Sequence, residues 1–139
     1  MLAYELTTRI ALAWAPAGAV FPALYTHARF AAVGAALASA LVRGADGGTL
    51  LRVVHIAATL ITVGPRNHLM QGALVRNVWP AIGSVNGLLA AQWAECGIDG
   101  LDSSVGDVYG GVLGFDSDAE QLVRGLGEDW AVRHGYVRM

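Results

Sequence analysis

Tyr25 and His27 carry side chains suited to proton transfer. An imidazole has an ordinary pKa of about 6.5 and exchanges protons at neutral pH, while a phenol can donate a proton or orient a substrate oxygen. Both residues follow a stretch that contains Pro16 and Pro22 and precede an Ala-rich stretch, a position from which a side chain can reach a cleft. The structural alternative is that His27 packs or caps at a helix start and that Tyr25 is a core aromatic.

A second group of polar residues suits the binding of an anion. Arg76 precedes a predicted helix, so its guanidinium and the positive end of that helix could hold a carboxylate together. The alternative for Arg76 is a salt bridge to one of the C-terminal acids. Asn77 is expected to cap the helix or to bind. Arg66 and His68 flank Asn67 in a polar loop that either lines a pocket mouth or is simply solvated.

Several kinds of chemistry are excluded by what the chain lacks. It has no lysine, which removes Schiff-base and lysine-base mechanisms. Its four histidines show no metal-binding spacing, and the single Cys96 can form neither an internal disulfide nor a zinc site without several histidine partners. No phosphate-binding loop or nucleophile elbow is present. We therefore predict no metal and no cofactor, and we expect His55, in an apolar stretch, to be a core histidine.

Charge is distributed unevenly along the 139 residues. Residues 1–90 carry six arginines against Glu5 and Asp46, a net charge of +4, whereas residues 91–139 carry a net charge of −6. The first part can attract an anion, but its charges are too scattered for a nucleic-acid partner. Prolines or polar residues interrupt the uncharged stretches, so we predict no membrane span and, without a signal peptide, a cytoplasmic location.

Length and a 55% hydrophobic content predict one domain with a substantial core. The apolar periodicity predicts an all-α class: about five helices packed as a bundle, with a short C-terminal extended segment. The helices are expected at about 2–13, 27–42, 50–63, 81–96 and 117–125. The second of them is Ala-rich and small on every face, which is typical of a buried central helix.

Local signals define several of these boundaries. Thr49 is predicted to cap the third helix. Pro80 suits the first turn of the fourth helix, and Gly97 is expected to end it. A capping box at 117–120 opens the short fifth helix. Residues 66–72 and 99–114 are expected to be irregular, and residues 130–137 to be extended.

Four sequence blocks, taken in order, resemble the MmgE/PrpD family, which includes 2-methylcitrate dehydratase, cis-aconitate decarboxylase and iminodisuccinate epimerase. The blocks are Tyr4–Ile10, Phe30–Asp46, Gly72–Gly100 and Gly135–Val137. The resemblance implies that residues 1–139 are a single truncated helical domain of this family. They correspond to the middle and end of that domain, without its N-terminal helices and without the lid domain.

The same resemblance implies a lyase or isomerase that dehydrates, decarboxylates or epimerises a small carboxylated substrate. His27 and Tyr25 would transfer protons, and Arg76 would bind the substrate with help from Asn77, Arg66 and His68. His27 is displaced by one or two positions from the family's histidine, and Arg76 stands where the dehydratases and the decarboxylase carry lysine. Because arginine stays charged, it binds a carboxylate well but is a poor proton shuttle.

Other functions stay open at this point. One is a repurposed small cyclase, in which an apolar pocket between helices folds the substrate. Another is a non-catalytic helical dimerisation module, or one half of a split enzyme. The family's helical domain dimerises, and truncation would expose apolar faces. We therefore expect a homo-oligomer, in particular a dimer, or a partner chain that supplies the missing helices.

Overall fold

The computed structural model describes residues 1–14, 24, 28–131 and 133, which form an all-α bundle. The elements are α1 (Leu2–Trp14), α2 (Ala31–Val42), α3 (Gly47–Thr59), α4 (Arg66–Met70), α5 (Val78–Glu95), a π-helix (Gly106–Val112) and α6 (Glu120–Val123). Two 3₁₀ turns, Ala28–Phe30 and Leu74–Asn77, lead into α2 and α5. The described ranges contain no strand, which confirms the all-α prediction.

The Ala-rich α2 is the central helix. It packs against α5, α3 and α1, and its buried side chains include Val33, Ala36 and Leu37. Together with Val53 and Ile56 of α3, these residues form the main hydrophobic core. The prediction of a buried central helix is therefore confirmed.

Small residues of α5 make its contact with α2 a close one. A Cβ on Gly87 would lie 2.2 Å from the carbonyl oxygen of Ala32, and a Cβ on Gly83 would lie 3.0 Å from the Cβ of Ala31. The buried stripe of α5 continues through Ala90, Ala91 and Ala94. Because the distance between helix axes depends on the side chains at the contact, glycine and alanine bring these two backbones together.

The helices α3 and α5 begin and end partly as predicted. Gly97 adopts a φ of +82°, and the N–H of Ile98 donates to the carbonyl of Trp93 (3.0 Å), a glycine-terminated helix end. Pro80 lies in the first turn of α5. By contrast, α3 begins at Gly47, and its cap is Asp46, which accepts from the N–H of Thr49 (2.8 Å). The prediction that Thr49 is the cap is wrong, because the upstream carboxylate already satisfies this end of the helix.

Two stretches predicted to be irregular contain helices. Within 66–72, α4 follows Pro65, whose carbonyl accepts from the N–H of His68 (3.1 Å). Within 99–114, the π-helix forms around the fully buried Tyr109. The glycines of this stretch favour irregular backbone, and the tertiary packing of the tyrosine overrides that preference.

The C-terminal elements also differ in detail from those predicted. α6 covers only Glu120–Val123, and the carboxylate of Asp118, rather than a Ser117 hydroxyl, accepts from the N–H of Glu120 (3.2 Å). Of the segment predicted to be extended, only residues 130, 131 and 133 are described, and the N–H of Arg133 donates to the carbonyl of Trp130 (2.9 Å). The remainder of that prediction lies outside the described residues.

A buried ion pair attaches the C-terminal segment, residues 118–131, to α1. Glu5 and Arg9 are 4% and 3% exposed, and the Nε of Arg9 donates to Glu5 Oε1 at 2.6 Å. The other guanidinium nitrogens of Arg9 donate to the carbonyls of Leu122 (3.3 Å), Arg124 (2.8 Å) and Asp129 (2.7 Å). Because charged donors meet several acceptors, the C-terminal segment is tied firmly to the first helix.

Candidate functional site

The two residues predicted to transfer protons, Tyr25 and His27, lie outside the described residues. The described residues that flank them in sequence are Leu24 and Ala28. Leu24 forms an isolated antiparallel bridge with Pro65, at the start of α4. The carbonyl oxygen of Ala28 lies 3.5 Å from the position that a Cβ on Gly83 of α5 would occupy.

Arg76 lies in the 3₁₀ turn that leads into α5. Its Nε is buried and, in the described part of the chain, has no hydrogen-bond partner. The alternative of a salt bridge to a C-terminal acid is not realised among the described residues: Glu95 pairs with Arg43, and Asp99 pairs with Arg52 (3.3 Å). The guanidinium of Arg76 therefore retains the capacity to bind an anion.

Asn77 stands at the capping position of α5, but its side chain makes no capping hydrogen bond. Its backbone is helical, with φ −77° and ψ −20°, because the 3₁₀ turn runs into α5 without a break. A capping side chain normally belongs to a residue with extended backbone. The prediction that Asn77 caps this helix is therefore wrong: the N–H of Val78, at the start of α5, donates to the carbonyl of Val75 in the 3₁₀ turn instead.

His68 is held by an aromatic contact with the first turn of α5. Its ring stacks on Trp79, with centroids 5.8 Å apart and planes at 27°. Trp79 in turn covers Gly64, since a Cβ there would lie 2.3 Å from the indole ring. Arg66 is exposed at the start of α4. The segment 63–79 thus brings the ring of His68 to the N-terminal end of α5.

A shallow apolar depression lies next to this segment. It has a volume of about 280 Å³ and is lined by Leu24, Val63, Gly64 and Pro65. It is open to solvent on one side. Such a surface can accommodate an apolar part of a small molecule, and none of the four described side chains that line it can ionise.

Sequence reasoning missed Arg29, a buried cation at the entrance to α2. Its guanidinium lies 4.9 Å from the ring centroid of Phe30 and 4.7 Å from that of Phe115, and the residue is 5% exposed. Burial lowers the pKa of Arg29 to about 10, an effect that Tyr109 partly opposes. Arg29 is the one formally charged residue between Ile10 and Val42. That isolation in an apolar stretch was the signal that could have identified it.

Tyr109 completes this aromatic cluster. Its hydroxyl donates to the carbonyl of Arg29 (2.9 Å), and its ring stacks on Phe30 with centroids 5.0 Å apart. A second stacking contact joins it to Trp14 at 6.3 Å. Burial raises the pKa of the phenol. The cluster consists of buried side chains that pack on one another, and it stabilises the fold.

His55 is buried in α3, as predicted. Its Nδ1 lies 3.7 Å from Oδ1 of Asp102, whose side chain is exposed. Gly100 packs directly on His55, with a distance of 2.9 Å from its would-be Cβ to the His55 carbonyl carbon. No cluster of three or more histidine, cysteine, aspartate or glutamate side chains suited to a metal ion occurs within the described ranges.

Comparisons with protein-family models, with curated proteins and with solved structures gave no match in any of the three. The similarity to the MmgE/PrpD family accordingly stays a prediction from the sequence blocks. Among the helices of the described part, none has both the length and the hydropathy to cross a bilayer.

Proposed function

We propose that the chain is the helical part of a cytoplasmic lyase or isomerase that acts on a small carboxylated substrate. The observation that carries this proposal is the buried Nε of Arg76, which has no hydrogen-bond partner among the described residues. A buried donor without an acceptor is costly, and a carboxylate would satisfy it through the two-pronged geometry that arginine favours.

The position of Arg76 before α5 supports the same conclusion. The 18-residue α5 begins two residues later, and no side chain caps its first turn. A substrate carboxylate at this point would meet both a guanidinium and the positive end of a long helix. No acidic residue occurs from Gly47 to Ala94, so no carboxylate of that stretch competes for the site.

In this proposal Tyr25 and His27 exchange protons with the substrate, while Arg66, His68 and Asn77 line its approach. Support comes from Leu24, which bridges Pro65 immediately before Arg66. The reaction would remove water or carbon dioxide, or invert a carbon next to a carboxylate. All three reactions need a proton donor or acceptor beside a fixed carboxylate.

Binding can be tested without turnover. Citrate and succinate are titrated into the protein and followed by calorimetry and by NMR shifts of the Arg76 side chain. We expect Arg76→Gln to weaken binding at least ~10-fold, since a charge-assisted hydrogen-bond pair is lost. Arg76→Lys should restore it only in part. Arg52→Gln, which removes another half-exposed arginine, is the matched control and should bind normally.

Equal affinity of the Arg76 and Arg52 variants, or no binding of either carboxylate, would disprove the site. Turnover is then tested by NMR detection of dehydration, decarboxylation or epimerisation products. If Arg76 binds carboxylates, His27→Ala and Tyr25→Phe should abolish product formation while leaving binding within a few-fold of the parent chain.

A second candidate is a non-catalytic dimerisation module, or one half of a split enzyme. The observation in its favour is the number of large apolar side chains exposed on the described surface, several of them on α5. Contiguous exposed apolar patches usually mark an interaction site. Carboxylate binding without turnover in the isolated chain, and turnover after addition of a lid-bearing chain, would favour the split enzyme.

A further inference from the structure

Residues 63–78, which run from the end of the α3–α4 connection to the start of α5, expose several large apolar side chains. We term this segment the α4–α5 tip. Met70 and Leu74 are its most exposed members, at 69% and 77%. Val63, Val75 and Val78 are 40% to 49% exposed. So many exposed apolar side chains in one short segment indicate an interaction surface rather than single surface residues.

The α4–α5 tip is an ordered unit. The N–H of Ala73 donates to the carbonyl of His68 (2.9 Å) across Gly72, whose φ is +73°. This is a glycine-terminated helix end, and it closes the turn that follows α4. The ring of His68 stacks on Trp79 and so joins the same turn to α5. The two most exposed apolar side chains stand on either side of Gly72 and therefore project from a fixed turn.

The charges of the α4–α5 tip are positive. Arg66 is exposed and Arg76 is partly exposed, and neither forms an ion pair with a described residue. No acidic residue occurs from Gly47 to Ala94. By contrast, the exposed apolar residues Leu101 and Val112 belong to residues 91–139, which carry a net charge of −6. The α4–α5 tip differs from them because it combines exposed apolar side chains with cationic ones.

This combination suits the surface of an anionic bilayer. Apolar side chains enter the boundary between headgroups and acyl chains, while arginines meet the negative charge of the headgroups. A side chain that is more than two thirds exposed, as Met70 and Leu74 are, projects from the protein. A fluid bilayer accepts such a side chain without a preformed pocket. A protein partner would need a pocket for each of them and acidic groups for the arginines.

We propose that the α4–α5 tip docks this chain on the surface of a membrane that contains anionic lipids. The contact is with one leaflet only, and no part of the chain is required to cross the bilayer. Anionic lipids give the cytoplasmic leaflet its negative surface potential, which agrees with the cytoplasmic location proposed above. The docking surface does not rest on the carboxylate site, because Met70 and Leu74 supply its apolar contact.

The far end of α5 is expected to face water. The helix has 18 residues, so its two ends are about 27 Å apart. Asp99, Asp102 and Asp107 follow its C-terminal end, and an anionic surface repels such carboxylates. Cys96 lies at this end, is exposed and is the single cysteine of the chain. A probe on Cys96 of the parent chain therefore reports the side of the molecule that should stay out of the lipid.

Binding is measured by flotation with two kinds of vesicle. One is phosphatidylcholine alone, and the other contains roughly one third phosphatidylserine. We expect the parent to bind the serine-containing vesicles at least ~10-fold more tightly, because each arginine near an anionic surface strengthens binding by roughly fivefold. High salt should release the protein, since it screens that attraction.

A matched pair of double variants tests the apolar contact. Met70→Ser with Leu74→Ser should weaken vesicle binding at least ~10-fold, because the inserted apolar area is lost. Leu101→Ser with Val112→Ser is the control: these side chains are 71% and 78% exposed and lie off the α4–α5 tip. It should bind as the parent does. All four side chains are exposed, so both variants should fold, which circular dichroism checks.

Fluorescent labels test the orientation. A label on Met70→Cys, in a chain that also carries Cys96→Ser, should be quenched by lipids with brominated acyl chains. A label on Cys96 of the parent should not be quenched. Equal quenching of the two labels would overturn the proposed orientation and with it the α4–α5 tip as the docking surface.

Three further outcomes would overturn the proposal: no vesicle binding by the parent, equal affinity for the two kinds of vesicle, or equal loss of binding in both double variants. A second copy or another protein on the α4–α5 tip would give a complex in vesicle-free solution that Met70→Ser with Leu74→Ser breaks. That complex without vesicle binding would also overturn it. Failure of the carboxylate site is separate, because the citrate and succinate titrations contain no lipid.

Discussion

The indole of Trp79 lies so close over Gly64 that a Cβ on the glycine would come within 2.3 to 2.4 Å of three ring carbons. This contact joins the segment between α3 and α4 to the first turn of α5. A hydrogen bond from the side-chain amide of Asn86 to the carbonyl of Leu60 (2.9 Å) reinforces it two turns further on. The N-terminal end of α5, where Arg76 lies, is therefore positioned by the indole and by the missing side chain of residue 64.

Gly64→Ala should turn the Trp79 ring away and remove its stacking on His68. We expect a loss of stability of about 1–3 kcal/mol from overpacking, together with a change in the ring-current shift of the His68 protons by NMR. Trp79→Leu in the Gly64→Ala background should recover part of the stability, because the smaller side chain leaves space. Additive effects of the two substitutions would show that the contact is not the cause.

Gly87→Ala should be strongly destabilising, because the new methyl would meet the Ala32 carbonyl at 2.2 Å and neither backbone can move independently. We expect at least about 1–3 kcal/mol, the usual cost of overpacking, measured by urea denaturation. Gly47→Ala is the control, since no atom lies within 4 Å of its would-be Cβ. It should be neutral or stabilise α3 slightly, because alanine has the higher helix propensity.

Arg9→Met should separate the C-terminal segment from α1. It removes the Arg9 charge from the buried carboxylate of Glu5 and removes the donor to three carbonyls. Breaking a buried pair in this way costs about 3–5 kcal/mol. Arg124→Met, which removes the exposed pair with Glu120 (3.5 Å), should cost no more than about 1 kcal/mol. Equal urea midpoints for the two variants would contradict this prediction.

Asp46 should make α3 sensitive to acid. The hydrogen bond from the backbone N–H of Thr49 lowers the pKa of Asp46 below its ordinary value of 3.8. The ionised cap therefore stabilises the fold above that value, and its contribution is lost as the pH falls through the lower, folded-state pKa. Asp46→Ala should have a lower melting temperature than the parent at neutral pH. This difference in melting temperature should become smaller as the pH falls into the acidic range. A constant gap in the melting temperature across the acidic range would contradict it.

Tyr109 should have the opposite dependence, at alkaline pH. Burial raises its pKa above the ordinary 10.0, so the stability of the neutral phenol is present below pH 10.0 and is lost as the pH rises beyond it. Tyr109→Phe should cost about 1 kcal/mol at neutral pH through the lost hydrogen bond to Arg29. The difference between parent and variant should shrink in alkali. Tyr4→Phe, at an exposed position, is the control and should show no such trend.

Local signals predicted much of the helical framework. The Ala-rich composition of α2, the proline in the first turn of α5 and the glycine at position 97 each determine structure through their immediate neighbours, so a pattern of a few residues suffices. The start of the third helix was not predicted correctly from local signals. Two glycines after Asp46 favour a turn, yet the first turn of a helix tolerates them once the carboxylate caps it.

The remaining features depend on residues distant in sequence. Glu5 and Arg9 form an ordinary i, i+4 pair by spacing, and they are buried because residues 118–131 cover them. The π-helix likewise follows from the packing of Tyr109 on Phe30 and Trp14 rather than from its glycines. At the candidate site, the sequence alone indicated that Arg76 and His68 suit the binding of an anion. The stacking of His68 on Trp79 was not, because it needs a glycine fifteen residues before the tryptophan.

The hydrogen bond from Arg9 to the Asp129 carbonyl spans 120 positions in sequence, whereas α2 and α3 meet across a short turn. Closing a long loop costs more entropy than closing a short one, so we expect contacts of short sequence separation to form first. The α2–α3 hairpin is expected to assemble early and the segment 118–131 to dock last. Detachment of that segment should therefore be the opening of the protein with the lowest free energy. Its amide hydrogens should exchange with solvent faster than those in the central helices.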